Sequence, residues 1–130
     1  MPEIKDKQKI ILVDDDDFMI NMYTTKFNNK GFIVESCKSG DDLLSKLNAG
    51  LKADLILMDV IMPKITGLEI LDKMRQNKIG EDIPVIMLTN QSEEKDINEA
   101  KRLKAAGYLI KSAMTPSEVV EKVMKIIKPN

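Results

Sequence analysis

Five short apolar runs alternate with longer segments of helical spacing, and this alternation restricts the fold more than any other feature of the chain. The runs are Ile10-Ile11-Leu12-Val13, Phe32-Ile33-Val34, Leu55-Ile56-Leu57-Met58, Val85-Ile86-Met87-Leu88 and Tyr108-Leu109-Ile110. Runs this short and continuous suit strands covered on both faces, as in a parallel sheet with helices on either side. Strands are expected at 9–13, 32–36, 54–58, 84–88 and 107–110. Helix starts follow each of them. Asp16 or Asp17 caps the first, Ser39 the second and Thr66 or Gly67 the third. Ser92-Glu93-Glu94 caps the fourth, and Thr115-Pro116-Ser117-Glu118 combines an N-cap, a first-turn proline and a capping box at the fifth. Phe18, Met19, Met22, Tyr23 and Phe27 form a stripe expected in the core, ended by Gly31. The fourth helix has a thin apolar side of Ile97, Ala100 and Leu103.

Such a pattern predicts a doubly wound α/β domain with a five-stranded parallel sheet. Right-handed crossovers with one reversal make 2-1-3-4-5 the natural strand order, and ligands then bind beyond the carboxyl ends of the strands at the reversal. With 130 residues the chain forms one domain, placed at 9–128 behind a polar extension, 1–8. A net charge of −1 gives no reason to expect nucleic acid or membrane surfaces as partners. No apolar run approaches spanning length and no signal-like segment opens the chain, so a cytoplasmic protein is expected. The absence of histidine excludes a Ser-His-Asp triad and any His-ligated metal, and the single Cys37 excludes a thiolate zinc site. A metal here must be held by oxygen, which points to Mg²⁺ or a similar hard cation.

Asp14 and Asp15 follow the first strand, Asp59 the third, Thr89 ends the fourth and Lys111 follows the fifth. One Asp closing a strand would more often be a turn residue or a cap. Three at one sheet edge are another matter, because close carboxylates repel and burying them unpaired is costly. A divalent cation offsets that repulsion, Lys111 can pair with Asp59, and Thr89 can donate or accept a hydrogen bond. Phosphoryl transfer to a carboxylate needs this set: neutralised equatorial oxygens and a nucleophile held in line, which an Asp can itself supply.

The chain resembles the receiver domain of bacterial two-component response regulators, in its stand-alone, chemotaxis-regulator-like form. The carriers are Val13-Asp14-Asp15, Met58-Asp59-Val60-Ile61-Met62-Pro63 with Gly67, Leu88-Thr89, and Gly107-Tyr108-Leu109-Ile110-Lys111. The resemblance implies a flavodoxin-like (βα)5 fold with Asp59 as phospho-acceptor. It implies Mg²⁺ held by Asp14, Asp15, Asp59 and the Ile61 carbonyl, and Thr89 and Lys111 at the phosphate. Tyr108 matches the switch aromatic, and Asn90, Ile61 and Gln91 flank phosphate access. The implied partners are a histidine kinase or phosphotransfer protein and a downstream protein bound on the fourth helix, fifth strand and fifth helix. The implied chemistry is self-phosphorylation and autodephosphorylation rather than enzymatic turnover.

Three positions depart from the family pattern. Ser112 replaces the proline after Lys111, and a non-proline cis bond costs ~2.5–4 kcal/mol, which leaves that bond either trans or strained. Asn90 is larger than the usual small residue after the Thr, and Lys104 stands where a glycine often ends the fourth helix. A haloacid-dehalogenase-like phosphatase would use Asp14 and Asp16, but it leaves Asp59 unexplained and lacks a later acidic pair. A pseudo-receiver would not need the intact acid, Thr and Lys set. An EF-hand fails at Met19 and Thr25, which stand where the loop needs Gly and Glu.

Overall fold

In the computed structural model, which describes residues 7–127, the alternation becomes five strands and five α-helices. In order these are β1 (Lys9–Val13), α1 (Asp17–Asn29), β2 (Ile33–Cys37), α2 (Gly40–Asn48), β3 (Leu55–Met58), α3 (Gly67–Gln76), β4 (Val85–Thr89), α4 (Glu94–Arg102), β5 (Gly107–Ile110) and α5 (Pro116–Ile126). A 3₁₀ turn, Lys111–Ala113, joins the last two. The strands are all parallel in the order β2-β1-β3-β4-β5, as the crossover rule requires. Most of the 1–8 extension and the boundary at Lys128 lie outside the described residues.

Because strand side chains alternate between faces, the sheet divides the core in two. Ile11, Val13, Ile56, Met58, Val85 and Met87 pack with α2, α3 and α4, while Ile10, Leu12, Leu55, Leu57, Ile86 and Leu88 pack with α1 and α5. β1, β3 and β4 are buried on both faces apart from the partly exposed first residue of β1. Cys37 is fully buried at the end of β2, a small apolar residue with burial pushing its thiol up to about 12.

Several expectations need correction. Phe18 is 72% exposed, and α1 instead buries Ile20, Tyr23 and Phe27, one helical face at spacings of three and four. β2 begins one residue later than expected, so Phe32 precedes it and meets Phe27 edge-on at 5.9 Å, while Ile33 is exposed on an edge strand. Ser92 does not cap α4: its N-cap is Glu93, which makes no side-chain cap bond. The other helix starts stand, with Asp16 accepting from the Phe18 N–H, Ser39 from the Asp42 N–H, and complete capping boxes at Thr66 with Glu69 and Thr115 with Glu118.

The Lys111–Ser112 bond is trans, as are all peptide bonds among the described residues. Lys104 adopts a φ of +59°, the left-handed conformation for which the family pattern uses glycine. Replacing it should relieve backbone strain: Lys104→Gly is expected to stabilise the fold by about 0.5–1 kcal/mol, the left-handed penalty being partly offset by the freedom glycine gains on unfolding. Urea unfolding checks this, and a lower midpoint would mean that the lysine side chain contributes more than its backbone costs.

Candidate functional site

The acidic groups reach one place because β1 and β3 are neighbours whose carboxyl ends are in register, Val13 opposite Met58. The ladder continues one residue further, for the Asp59 N–H donates to the Val13 carbonyl at 3.0 Å and the Asp14 N–H to the Cys37 carbonyl at 3.1 Å. Asp14 and Asp59 are therefore fixed by sheet geometry although both lie just beyond the strands. Asp14 is 3% and Asp59 9% exposed, while Asp15 faces solvent. One carboxylate oxygen from each of the three lies within 4.8 Å of the others.

Lys111 sits between two of them. Its Nζ donates to Asp14 Oδ2 and to Asp59 Oδ2, both at 3.0 Å. The pairing with Asp59 is the one the sequence implies; the bond to Asp14, equal in length, is additional. Desolvation alone would lower the pKa of this lysine, but the two hydrogen bonds and the two nearby negative charges outweigh it and hold the pKa above the ordinary value. Asp14 shifts upward, chiefly through burial, which the Asp16 N–H and Lys111 counter only in part and the Asp59 charge reinforces. Three carboxylates thus face one ammonium, leaving a surplus of negative charge in a largely buried site.

The free valences fit a hard cation. Asp14 Oδ1 accepts from the Asp16 N–H at 3.0 Å and Asp59 Oδ1 from the Ile61 N–H at 3.1 Å, so each oxygen of the buried pair carries one hydrogen bond. Each keeps a second lone pair. The donor set is all oxygen and anionic, with one member open to water, which suits a partly hydrated Mg²⁺.

The remaining predicted residues surround this centre. Thr89 is fully buried at the end of β4, and its Oγ1 accepts from the Gln91 N–H at 3.2 Å. Tyr108 is half-buried on β5, and its hydroxyl donates to the Gln91 carbonyl at 2.7 Å instead of facing water. Burial, then the charges of Asp96, Asp59 and Glu93, push that phenol up to about 12, so it remains a donor at neutral pH. Thr89 and Tyr108 do not bond to each other here; both hold the peptide groups of Gln91. Asn90 is exposed, and the Ile61 side chain is 53% exposed beside the Asp59 loop. Gly67 closes that loop with its N–H on the Val60 carbonyl at 2.8 Å, and a Cβ there would run into the Asp59 carbonyl. Arg75, unremarked in the sequence, donates to the carbonyls that end α4. A bond from a side chain to distant backbone leaves no pattern along a sequence.

Comparison with known proteins bears on the family and the fold. The sequence profile described as "Response regulator receiver domain" matches residues 10–124. The chain is 32% identical over 121 residues to the alkaline phosphatase synthesis transcriptional regulatory protein PhoP of Bacillus subtilis, covering 93% of this chain and 49% of that protein. It is 30% identical over 118 residues to the response regulator SaeR of Staphylococcus aureus, covering 91% and 50%. The chain spans about half the length of these curated relatives. Among solved structures, the chemotaxis response regulator CheY4 of Vibrio cholerae superposes with a TM-score of 0.83 at 26% identity, over 94% of this chain and 100% of that one. The response regulator TrrA of Thermotoga maritima, solved in complex with Mg(2+)-BeF, gives 0.79 at 28% identity, over 92% and 99%.

Proposed function

The chain belongs to the response regulator receiver domains of two-component systems, and from that premise we propose that Asp59 is its phospho-acceptor and that Asp14, Asp15, Asp59 and the Ile61 carbonyl hold Mg²⁺. The observation that carries this reading is the convergence on Asp59: two further carboxylates supply a cation site, and Lys111 Nζ lies 3.0 Å from Asp59 Oδ2. An Asp59 oxygen attacks phosphorus, the new O–P bond forms, and the bond to the donor breaks, releasing a histidine imidazole from a kinase or phosphotransfer protein, or acetate from acetyl phosphate. A divalent ion held by these oxygens would, when bound, neutralise charge at the phosphoryl oxygens. Lys111 adds a second positive charge there, and Thr89 offers a buried hydroxyl on the neighbouring strand. Asn90, Gln91 and Ile61 border the approach.

The chain acts as an acceptor that switches and resets, without turnover of a phosphomonoester substrate. The domain occupies residues 9–128. The lone buried thiol of Cys37 suits the reducing cytoplasm. Output passes to a downstream protein through the α4-β5-α5 face, because Gln91 joins Thr89 to Tyr108 at the start of that surface. A beryllofluoride adduct with Mg²⁺ is expected to shift amide NMR signals from Thr89 to Lys111 far more than those of α2, and equal shifts across the sheet would place the output elsewhere.

Acetyl phosphate with Mg²⁺ tests the acceptor itself. One base-labile phosphoryl group should appear on the wild type and none on Asp59→Asn. Labelling of the variant would refute the assignment.

A further inference from the structure

The two ends of α4 are held by different means. At the C-terminal end the Lys104 N–H donates to the Lys101 carbonyl at 3.0 Å and the Ala105 N–H to the Ala100 carbonyl at 2.9 Å, the paired bonds of a Schellman closure. That closure leaves the carbonyls of Leu103 and Lys104 without helical partners. Arg75 of α3 takes both, Nε at 2.8 Å from Leu103 O and Nη2 at 3.3 Å from Lys104 O. Burial is concentrated at the same end, with Ala100 1% and Leu103 4% exposed and Ile97 only half-buried.

The N-terminal end has little of this. Glu93 makes no side-chain cap bond, and the preceding loop is tied to the sheet through the Gln91 peptide groups, by Thr89 Oγ1 on one side and the Tyr108 hydroxyl on the other. Both of those ties are neutral hydrogen bonds. The Arg75 bonds carry a full charge, which makes such bonds roughly twice as strong, and they lie at the negative end of the helix dipole.

We propose that α4 moves as a lever about Arg75, its C-terminal end fixed by the guanidinium and its N-terminal end freed when Thr89 and Tyr108 release Gln91. The lever rests on Asp59 being the phospho-acceptor, since the phosphoryl group is what draws Thr89 away. Arg75 touches neither phosphate nor metal site; it is a positioning residue that makes the displacement of α4 graded along its length.

NMR-detected amide exchange on the full chain, with and without beryllofluoride and Mg²⁺, tests this, and ¹⁹F spectra report adduct formation separately. In the wild type the adduct should speed exchange at residues 91–97 while Lys104 and Ala105 stay within about twofold of their starting rates. In Arg75→Met, which keeps the length of the side chain, those two amides should exchange on the order of tenfold faster in the adduct. Acetyl phosphate labelling of that variant should keep its wild-type rate within about twofold. Arg75→Lys should fall between, because an ammonium lacks the fixed fork that serves two carbonyls. An adduct that changes exchange equally along α4 of the wild type, or leaves Lys104 and Ala105 of Arg75→Met unmoved, overturns the lever alone. No adduct on the wild type overturns the acceptor reading and the lever with it.

Discussion

Gly67→Ala should unfold roughly 10 °C below the wild type, from a loss of about 3 kcal/mol. The methyl group would run into the Asp59 carbonyl and lie 3.0 Å from Met87 Cε. Met87 can yield, being a flexible side chain, but the Asp59 backbone cannot. Its N–H is bonded to Val13 on β1, and its side chain is held by Lys111 and the Ile61 N–H. Relief would have to come from the loop, breaking the Gly67 N–H bond to Val60 that sets the start of α3. Gly31→Ala is the informative comparison. Nothing lies within 4 Å of a Cβ there, and the cost is only that of a φ of +92°, on the order of 1 kcal/mol. Thermal melts of the two variants should rank Gly67→Ala well below Gly31→Ala; the reverse order would mean that the β3–α3 loop is slack and does not fix Asp59.

Magnesium should raise the melting temperature of the wild type, by mass action worth ~2.7 kcal/mol at a hundred times the dissociation constant. The unliganded site carries three carboxylates against one ammonium, with Asp14 pushed upward by burial. The charged form of Asp14 is therefore less well stabilised in the folded chain than in water, and a cation offsets that penalty. Asp15→Asn should blunt the response without unfolding the protein, since Asp15 is exposed and no part of the core depends on its charge. A melting temperature indifferent to Mg²⁺ would mean that Lys111 alone neutralises the site and the acid pair binds no metal.

The parts of this site that could be read from the sequence are those written locally. Asp14, Asp59, Thr89 and Lys111 each follow or end an apolar run, so finding the runs found the residues, and the crossover rule brought them to one edge. The phase of α1 was harder. Phe18, Met19 and Ile20 are consecutive, and only the sheet decides which of them faces inward; it took Ile20 and left Phe18 in water. Lys111 bonding Asp14 depends on a long side chain reaching from the end of β5 back to β1, three positions away in the sheet with β4 and β3 between, which adjacency in the strand order does not reveal. Tyr108 matches the switch aromatic of the family pattern, yet its partner, a backbone carbonyl at Gln91, leaves no trace in residue types.

The central claim is that Asp59, rather than Asp14 or Asp15, takes the phosphoryl group. Borohydride reduces an acyl phosphate to an alcohol, converting the aspartate that carried it to homoserine. Treating the chain with acetyl phosphate and Mg²⁺, quenching with borohydride and sequencing the peptides by mass spectrometry reads the acceptor directly. The account predicts homoserine at position 59 alone, and none when Mg²⁺ is omitted. Homoserine at position 14 or 15, or a fully labelled chain with none at 59, would contradict it.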